Sequence, residues 1–246
     1  MPKALITGTS SGLGRALAET LIAQDWQVYG CSRRENDLPG LRHQVVDLSE
    51  FAQVPPALQA LLQGVDELEL VVLNAGILGE IRDLSATPME DAKQVMEINL
   101  WSNKAVLDWL HARQMPIAQL VMISSGASVL GNRGWGGYAL SKAALNMLAK
   151  LYAHEFPHTH LCALAPGIID TAIMDYLCEQ ADAESYPALR RLQQARDNNT
   201  LPTAANAASQ VLQVLPALRE QPSGSFIDIR AILDPQAYAA LYPGQS

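Results

Sequence analysis

Seven short apolar runs alternate with amphipathic stretches from one end of the chain to the other, and that alternation narrows the possible folds more than any other feature. The runs are Ala4 to Thr7, Val28 to Cys31, Gln44 to Asp47, Leu68 to Leu73, Leu120 to Ser124, Leu161 to Ala165 and Ser225 to Ile229. Runs this short read as strands, and most are apolar at successive positions, as strands covered on both faces are. Six stretches of helical character lie between them. In the first, Leu13, Ala16, Leu17 and Leu21 share one helical face. Parallel strands need such crossovers, so the pattern predicts a doubly wound α/β fold, a seven-stranded parallel sheet with helices on both faces. With 246 residues, 49% of them hydrophobic, the chain suits one domain of this kind over 1–246.

Composition removes several classes of partner. The formal net charge is -8 and the 17 basic residues are scattered, whereas a nucleic-acid surface needs a positive stripe. Cys31, Cys162 and Cys178 are widely spaced and form no C-x-x-C, which argues against a disulfide framework or a cysteine zinc site. The apolar start, Ala4 to Ile6, stops at Gly8, too short for a signal-peptide core. The run Leu70 to Leu73 ends at Asn74, far below the roughly 20 apolar residues of a membrane span. The expectation is a soluble cytoplasmic protein that binds a small molecule, with neither nucleic acid nor membrane as partner.

Local signals place some helices. Thr87-Pro88-Met89-Glu90 reads as a capping box with a first-turn proline, opening a long helix toward Trp109. A helix from near Tyr138 to about His154 ends before Pro157. Residues 172–201 are helical in composition but irregular in pattern, which predicts a flap over a ligand site.

Thr7-Gly8-Thr9-Ser10-Ser11-Gly12-Leu13-Gly14 puts three glycines between the first strand and the first helix. Backbone N–H groups and the positive helix end make such a turn a place for a pyrophosphate, although a tight structural turn would use the same residues. Ser10, Ser11 and Leu13 fall within it. After the second strand, where a carboxylate would take the ribose hydroxyls of NAD, the chain has Ser32-Arg33-Arg34. A hydroxyl and two planar guanidinium forks suit the 2′-phosphate of NADP, and a solvated arginine pair is the plainer alternative. Asp47 is either an acceptor for the adenine amino group or an exposed loop residue.

Tyr138-Ala139-Leu140-Ser141-Lys142 sets a phenol and an ammonium at i and i+4, stacked on one helix face. A free tyrosine, with a pKa of about 10, is too weak an acid for neutral pH, and a neighbouring lysine would lower it. With these residues in view the chain resembles the short-chain dehydrogenase/reductase family over essentially its whole length. The glycine turn, Asn74-Ala75-Gly76 after the fourth strand, Asn99 in Ile98-Asn99-Leu100, Ser125 thirteen positions before Tyr138, and Pro166-Gly167 with Thr171 follow in that family's order. The resemblance implies that Ser125 and Tyr138 contact a substrate carbonyl and that Lys142 holds the nicotinamide ribose. It further implies that Asn99 anchors a water relay to Lys142 and that Ile168 and Thr171 lie near the carboxamide.

A narrower resemblance is to the sepiapterin reductase and benzil reductase branch, carried by Ser32 to Asn36, Ile123 to Ala127, Gly134 to Tyr138 and Ala165 to Thr171. It implies an NADPH-dependent reduction of a ketone on a small, flat, conjugated molecule. Asp170 is then either an anchor for pterin N–H groups or the cap of a helix starting near Thr171. Trp135 either stacks on the substrate or packs beneath its loop. Met174, with Tyr176 and Leu177, either closes an apolar lid or packs a helix. Ser11 stands where pterin-reducing relatives carry a basic residue, and Arg15 follows Gly14, so the NADP preference rests on Ser32, Arg33 and Arg34.

His154-Glu155-Phe156-Pro157-His158 spells H-E-x-x-H, but a proline inside a helix removes a hydrogen bond and clashes with the preceding turn. No metal is expected there. The competing functional class is a non-enzymatic NADP-binding redox sensor or scaffold, for which a tuned phenol would have no use. The family's habit implies a homodimer or homotetramer.

Overall fold

The first strand shows how the sheet is covered. In β1 (Lys3–Thr7) Leu5 packs into one apolar cluster while Ala4 and Ile6 pack into another, because successive side chains leave a strand on opposite faces. Both faces are therefore dry. The computed structural model describes residues 1–179, 181–198 and 200–242.

Six further strands run parallel to β1: β2 (Gln27–Ser32), β3 (Leu41–Val45), β4 (Leu68–Leu73), β5 (Ile117–Ile123), β6 (His160–Ala165) and β7 (Phe226–Asp228). Their spatial order is β3-β2-β1-β4-β5-β6-β7, so the winding reverses between β1 and β4. Helices α1 (Gly12–Ala23) and α9 (Ala204–Leu218) cover the Ala4 face through Leu13, Leu17 and Leu21 and through Ala208, Val211 and Val214. On the Leu5 face lie α2 (Val54–Leu61), α4 (Ser102–Ala112) and α6 (Gly136–Glu155), which contribute Leu58, Leu107 and Leu145 among others. The expected doubly wound, seven-stranded parallel sheet is the observed one.

Three local expectations need correction. The third strand spans Leu41–Val45, a few residues before the expected Gln44 to Asp47. It pairs only with β2 along one edge, so its exposed Arg42 and part-buried His43 hide it from an apolar-run criterion. Thr87 does not cap its helix. Its hydroxyl donates 3.1 Å back to the Asp83 carbonyl, and α3 (Met89–Met96) starts without a side-chain cap. The long helix to Trp109 is interrupted by a π-helical turn, Glu97–Trp101, before it continues as α4.

Beyond β6 the chain forms α7 (Ala172–Glu179) and α8 (Pro187–Asp197), which build a small separate apolar cluster of Leu78, Met174, Leu177 and Leu189. Short helices α5 (Ala127–Leu130), α10 (Arg230–Leu233) and α11 (Pro235–Leu241) follow β5 and β7. No helix among the described residues is long and apolar enough to cross a membrane.

The ends of β1 and β4 are stapled together. Thr7 Oγ1 accepts from the Asn74 and Ala75 N–H groups at 2.9 and 3.1 Å, and Asn74 Nδ2 donates 3.0 Å to the Thr7 carbonyl. Gly14 passes so close that a Cβ there would lie 2.5 Å from Asn74 Nδ2. Gly14→Ala is therefore expected to cost about 1–3 kcal/mol as an overpacked contact. Thermal unfolding would show this as a Tm drop of roughly 2–4 °C per kcal/mol, and an unchanged Tm would mean that the turn can give way.

Candidate active site

All seven strands point their C-terminal ends at one side, where a parallel sheet leaves a crevice at the reversal of its winding. A cleft of about 1240 Å³ opens there. Its wall takes residues from every strand end: Gly8 and Ser10 to Leu13, Ser32 to Arg34, Val46 to Ser49, Asn74 to Leu78, Ile123 to Ala127, Pro166 to Met174, and Arg230. A space this large exceeds the usual range for one small ligand, about 300–1,000 Å³.

Gly8 and Gly12 hold φ of +77° and +56°, a region that side chains with a Cβ rarely adopt. The turn delivers the chain into α1, whose N-cap Ser11 makes no side-chain capping bond. First-turn N–H groups therefore remain for an anion in the cleft. Among the described residues only Thr171, 3.6 Å away, would meet a Cβ on Gly12, so the turn faces the segment after β6. Arg15 turns aside to Glu19 and Asp37, at 2.9 and 3.0 Å.

At the end of β2, Arg34 Nη2 lies 3.4 Å from Ser10 Oγ and 3.3 Å from Ser11 Oγ, which joins the arginine to the glycine turn. Arg33 lines the cleft and is exposed. Ser32 also lines the cleft and is engaged within the protein. Its one hydroxyl proton goes to the Arg34 carbonyl at 2.8 Å, so its oxygen accepts from His43 Nε2 at 2.8 Å. The hydroxyl closes the turn and leaves the two guanidinium groups as the donors. Asp47 accepts from the Ser49 N–H and hydroxyl at 3.0 and 2.7 Å. Burial pushes its pKa up, but those bonds and the charge of Arg33 hold it below the ordinary carboxylate value.

Tyr138 and Lys142 stand on α6 as the spacing requires, with Lys142 Nζ 5.7 Å from the phenol ring centre. Burial raises the Tyr138 pKa, and the Ser125 hydroxyl beside it pulls the other way. The lowering expected from Lys142 is not found. That lysine is itself desolvated to a pKa of about 8 and donates 2.7 Å to the Ile123 carbonyl at the end of β5. Asn99 sits in the π-helical turn, fully buried. Its amide makes a two-way bond with Ile77, accepting from N–H and donating to C=O at 2.8 Å each, and also donates 2.9 Å to Ser141. A Cβ on Gly76 would lie 3.1 Å from Asn99 Oδ1 and 3.5 Å from Lys142 Nζ, so glycine lets the two side chains face one point.

The expected substrate residues separate. Trp135, the N-cap of α6, sets its ring centre 6.3 Å from that of Tyr138, with a buried Nε1 that has no partner among the described residues. Met174 is buried and lines the cleft with Leu177. Tyr176 leaves the cleft to accept from the Ile81 N–H at 3.0 Å. Asp170 lines the cleft, but its carboxylate faces Arg196 of α8 at 3.5 Å, and the same guanidinium also reaches Asp175 and Glu179. Ile168 is 39% exposed at the rim. Leu130 of α5, with Arg230 and Leu241 from the helices after the last strand, also forms the wall, and no local motif in the sequence marks any of the three.

The H-E-x-x-H segment is not one helical face. α6 ends at Glu155, and His158 lies in the turn beyond it. Among the described residues no group of three or more His, Cys, Asp or Glu is gathered for a metal.

The Lys142 environment has a measurable consequence. Between about pH 8, its pKa in the folded protein, and 10.5, the ordinary value, the unfolded chain binds more protons than the folded one. Stability from this group therefore rises with pH across that window and is lost as pH falls through about 8. Denaturant titrations of the wild type minus Lys142→Met should show the difference growing over this range, and parallel curves would contradict the burial of the ammonium.

A family model described as short chain dehydrogenase matches residues 2–182. Benzil reductase ((S)-benzoin forming) of Saccharomyces cerevisiae is 30% identical, over 91% of this chain and 94% of the relative. The Bacillus cereus protein of the same name is 27% identical, over 92% and 98%. A solved short chain dehydrogenase/reductase structure from Saccharomyces cerevisiae has a TM-score of 0.82 at 25% identity, covering 99% of this chain and 100% of that one. The chain belongs to the short-chain dehydrogenase family.

Proposed function

We propose that the protein is an NADPH-dependent carbonyl reductase acting on a small, flat, conjugated ketone. The observation that carries this reading is the convergence of Ser125, Tyr138 and Lys142 in a cleft whose other end is a glycine turn beside two arginines.

The residues present fit a phosphorylated dinucleotide. The uncapped first turn of α1 would hold its pyrophosphate, and Arg33 and Arg34 its 2′-phosphate. Asp47, Asn74, Ala75 and Gly76 would line the adenosine and ribose positions, and Pro166, Gly167, Ile168 and Thr171 the nicotinamide. When bound, the dinucleotide supplies the hydride. Ser125 and Tyr138 hydrogen-bond the substrate carbonyl oxygen, and the Tyr138 proton moves to that oxygen as it gains negative charge. Burial keeps the phenol in its protonated, donor form before substrate binds, and the Lys142 charge would ease loss of that proton as the carbonyl oxygen becomes negative. Lys142 holds the ribose and its positive charge stabilises the phenolate left behind, while Asn99 fixes the segment that Lys142 faces.

Trp135, Met174 and Leu177 supply the apolar surface for a flat substrate. The relatives named benzil reductase support a diketone over a pterin, as does the engagement of Asp170 by Arg196. The segment 172–201 would act as the flap. Exposed Leu140, Met147 and Leu151 on α6, with Trp101 before α4, support a homo-oligomer built on that face.

Tyr138→Phe is expected to abolish turnover while leaving NADPH affinity nearly intact; unchanged turnover in a stopped assay of NADPH oxidation would sink the mechanism. Arg33→Ala should weaken NADPH far more than NADH, and equal losses would mean that the arginine does not read the 2′-phosphate. NADPH oxidation against benzil, sepiapterin and diacetyl separates the substrate classes, and silence across the panel with NADPH bound would favour a sensor.

A further inference from the structure

The cleft carries a cation that this mechanism leaves unused. Arg230 opens α10 directly after β7, lines the cleft and keeps its side chain 25% exposed. Behind it Asp228 is only 1% exposed. The Arg230 N–H, Nε and Nη2 donate to Asp228 at 3.0, 2.7 and 2.5 Å, and the Tyr242 hydroxyl adds a fourth bond at 2.9 Å. Four donors saturate the carboxylate and lock the guanidinium plane. The clamp uses the Nε edge, and among the described residues Nη1 donates to no acceptor.

The fixed guanidinium stands close to the reacting centre. Gly126 follows Ser125, and a Cβ built on it would lie 3.0 Å from the Tyr242 hydroxyl and 3.6 Å from Arg230 Nη2. Ser125, Tyr138 and Arg230 line the same cleft, so a molecule held there by its reacting carbonyl has a path to turn a second group toward Arg230.

We propose that Arg230 is a specificity-determining residue that donates to a second, uncharged oxygen of the substrate, so that ketones carrying another carbonyl are favoured. The inference rests on the carbonyl reductase reading and names its substrate class. The preference for an uncharged oxygen follows from Asp228, which already balances the guanidinium. A substrate carboxylate would meet that second negative charge across one guanidinium and lose hydration against Ala127, Leu130 and Leu241. A carbonyl oxygen needs only the donor.

The test uses the full chain with three matched ketones: 1-phenyl-1,2-propanedione, propiophenone and phenylglyoxylate. In Arg230→Met the ratio of kcat/KM for the dione to that for propiophenone should fall about tenfold or more, the loss of a charge-assisted hydrogen bond. Equal losses on both ketones overturn the proposal, and so does a wild-type preference for phenylglyoxylate over the dione. Fluorescence titration of the dione and propiophenone into NADP-loaded protein gives the same ratio as a difference in affinity. An inactive wild type whose affinity for the dione depends on Arg230 would refute the reductase reading and still support this subsite. Should Arg230→Met fail to fold with Asp228 unpaired, Arg230→Lys keeps a cation against Asp228 while removing the planar fork. The same fall in the ratio is expected, and full retention of it would overturn the role of the fork.

Discussion

Thr7 and Asn74 lie far apart in the chain, yet their side chains and backbones hold the ends of β1 and β4 side by side. That junction is where the winding of the sheet reverses. The connection after β1 turns to α1 on one face and that after β4 turns to α4 on the other, so a gap opens between the two strand ends. Every ligand-facing residue depends on this gap. The glycine turn reaches it only because Gly8 and Gly14 bring backbone against Asn74 and Ala75 with no Cβ between.

The chemistry at the other end of the cleft follows from burial. Lys142 is anchored to the Ile123 carbonyl inside the protein, which costs it solvation and lowers its pKa, while burial raises that of Tyr138. Burial disfavours the charged form of both side chains, yet a pKa of about 8 leaves Lys142 mostly an ammonium at neutral pH. A negatively charged partner near Lys142 would raise that pKa again, and the ammonium in turn would favour the phenolate.

The sheet and its two faces were legible in the sequence because a doubly covered strand must be apolar at consecutive positions, as in Leu70 to Leu73 and Leu161 to Ala165. The edge strand β3 carries Arg42 and His43 and was displaced for the same reason. Tyr138 and Lys142 were legible because one helical turn relates them. Ser32 could be located but not assigned, since its partner His43 belongs to another strand and competes for its hydroxyl. Asp170 reads from the sequence as either a substrate anchor or a helix cap, and the partner its carboxylate faces, Arg196, comes from α8 further along the chain, where no local motif announces it. Arg230 carried no signal at all, because its meaning comes from Asp228, Tyr242 and the distant Gly126.

The π-helical turn at Glu97–Trp101 shows a different kind of constraint. Its widened ring leaves backbone carbonyls underserved, and the side chains of Ser102 and Asn103 donate to those of Ile98 and Asn99. Asn99 meets Ile77 only because the chain holds one more residue here than a regular helix would use. Each residue of an α-helix turns it by about 100°. A single deletion between Met89 and Asn99 would swing the amide away from Ile77 even if every remaining side chain were kept. This segment is therefore more sensitive to a change in its length than to most changes in its spelling.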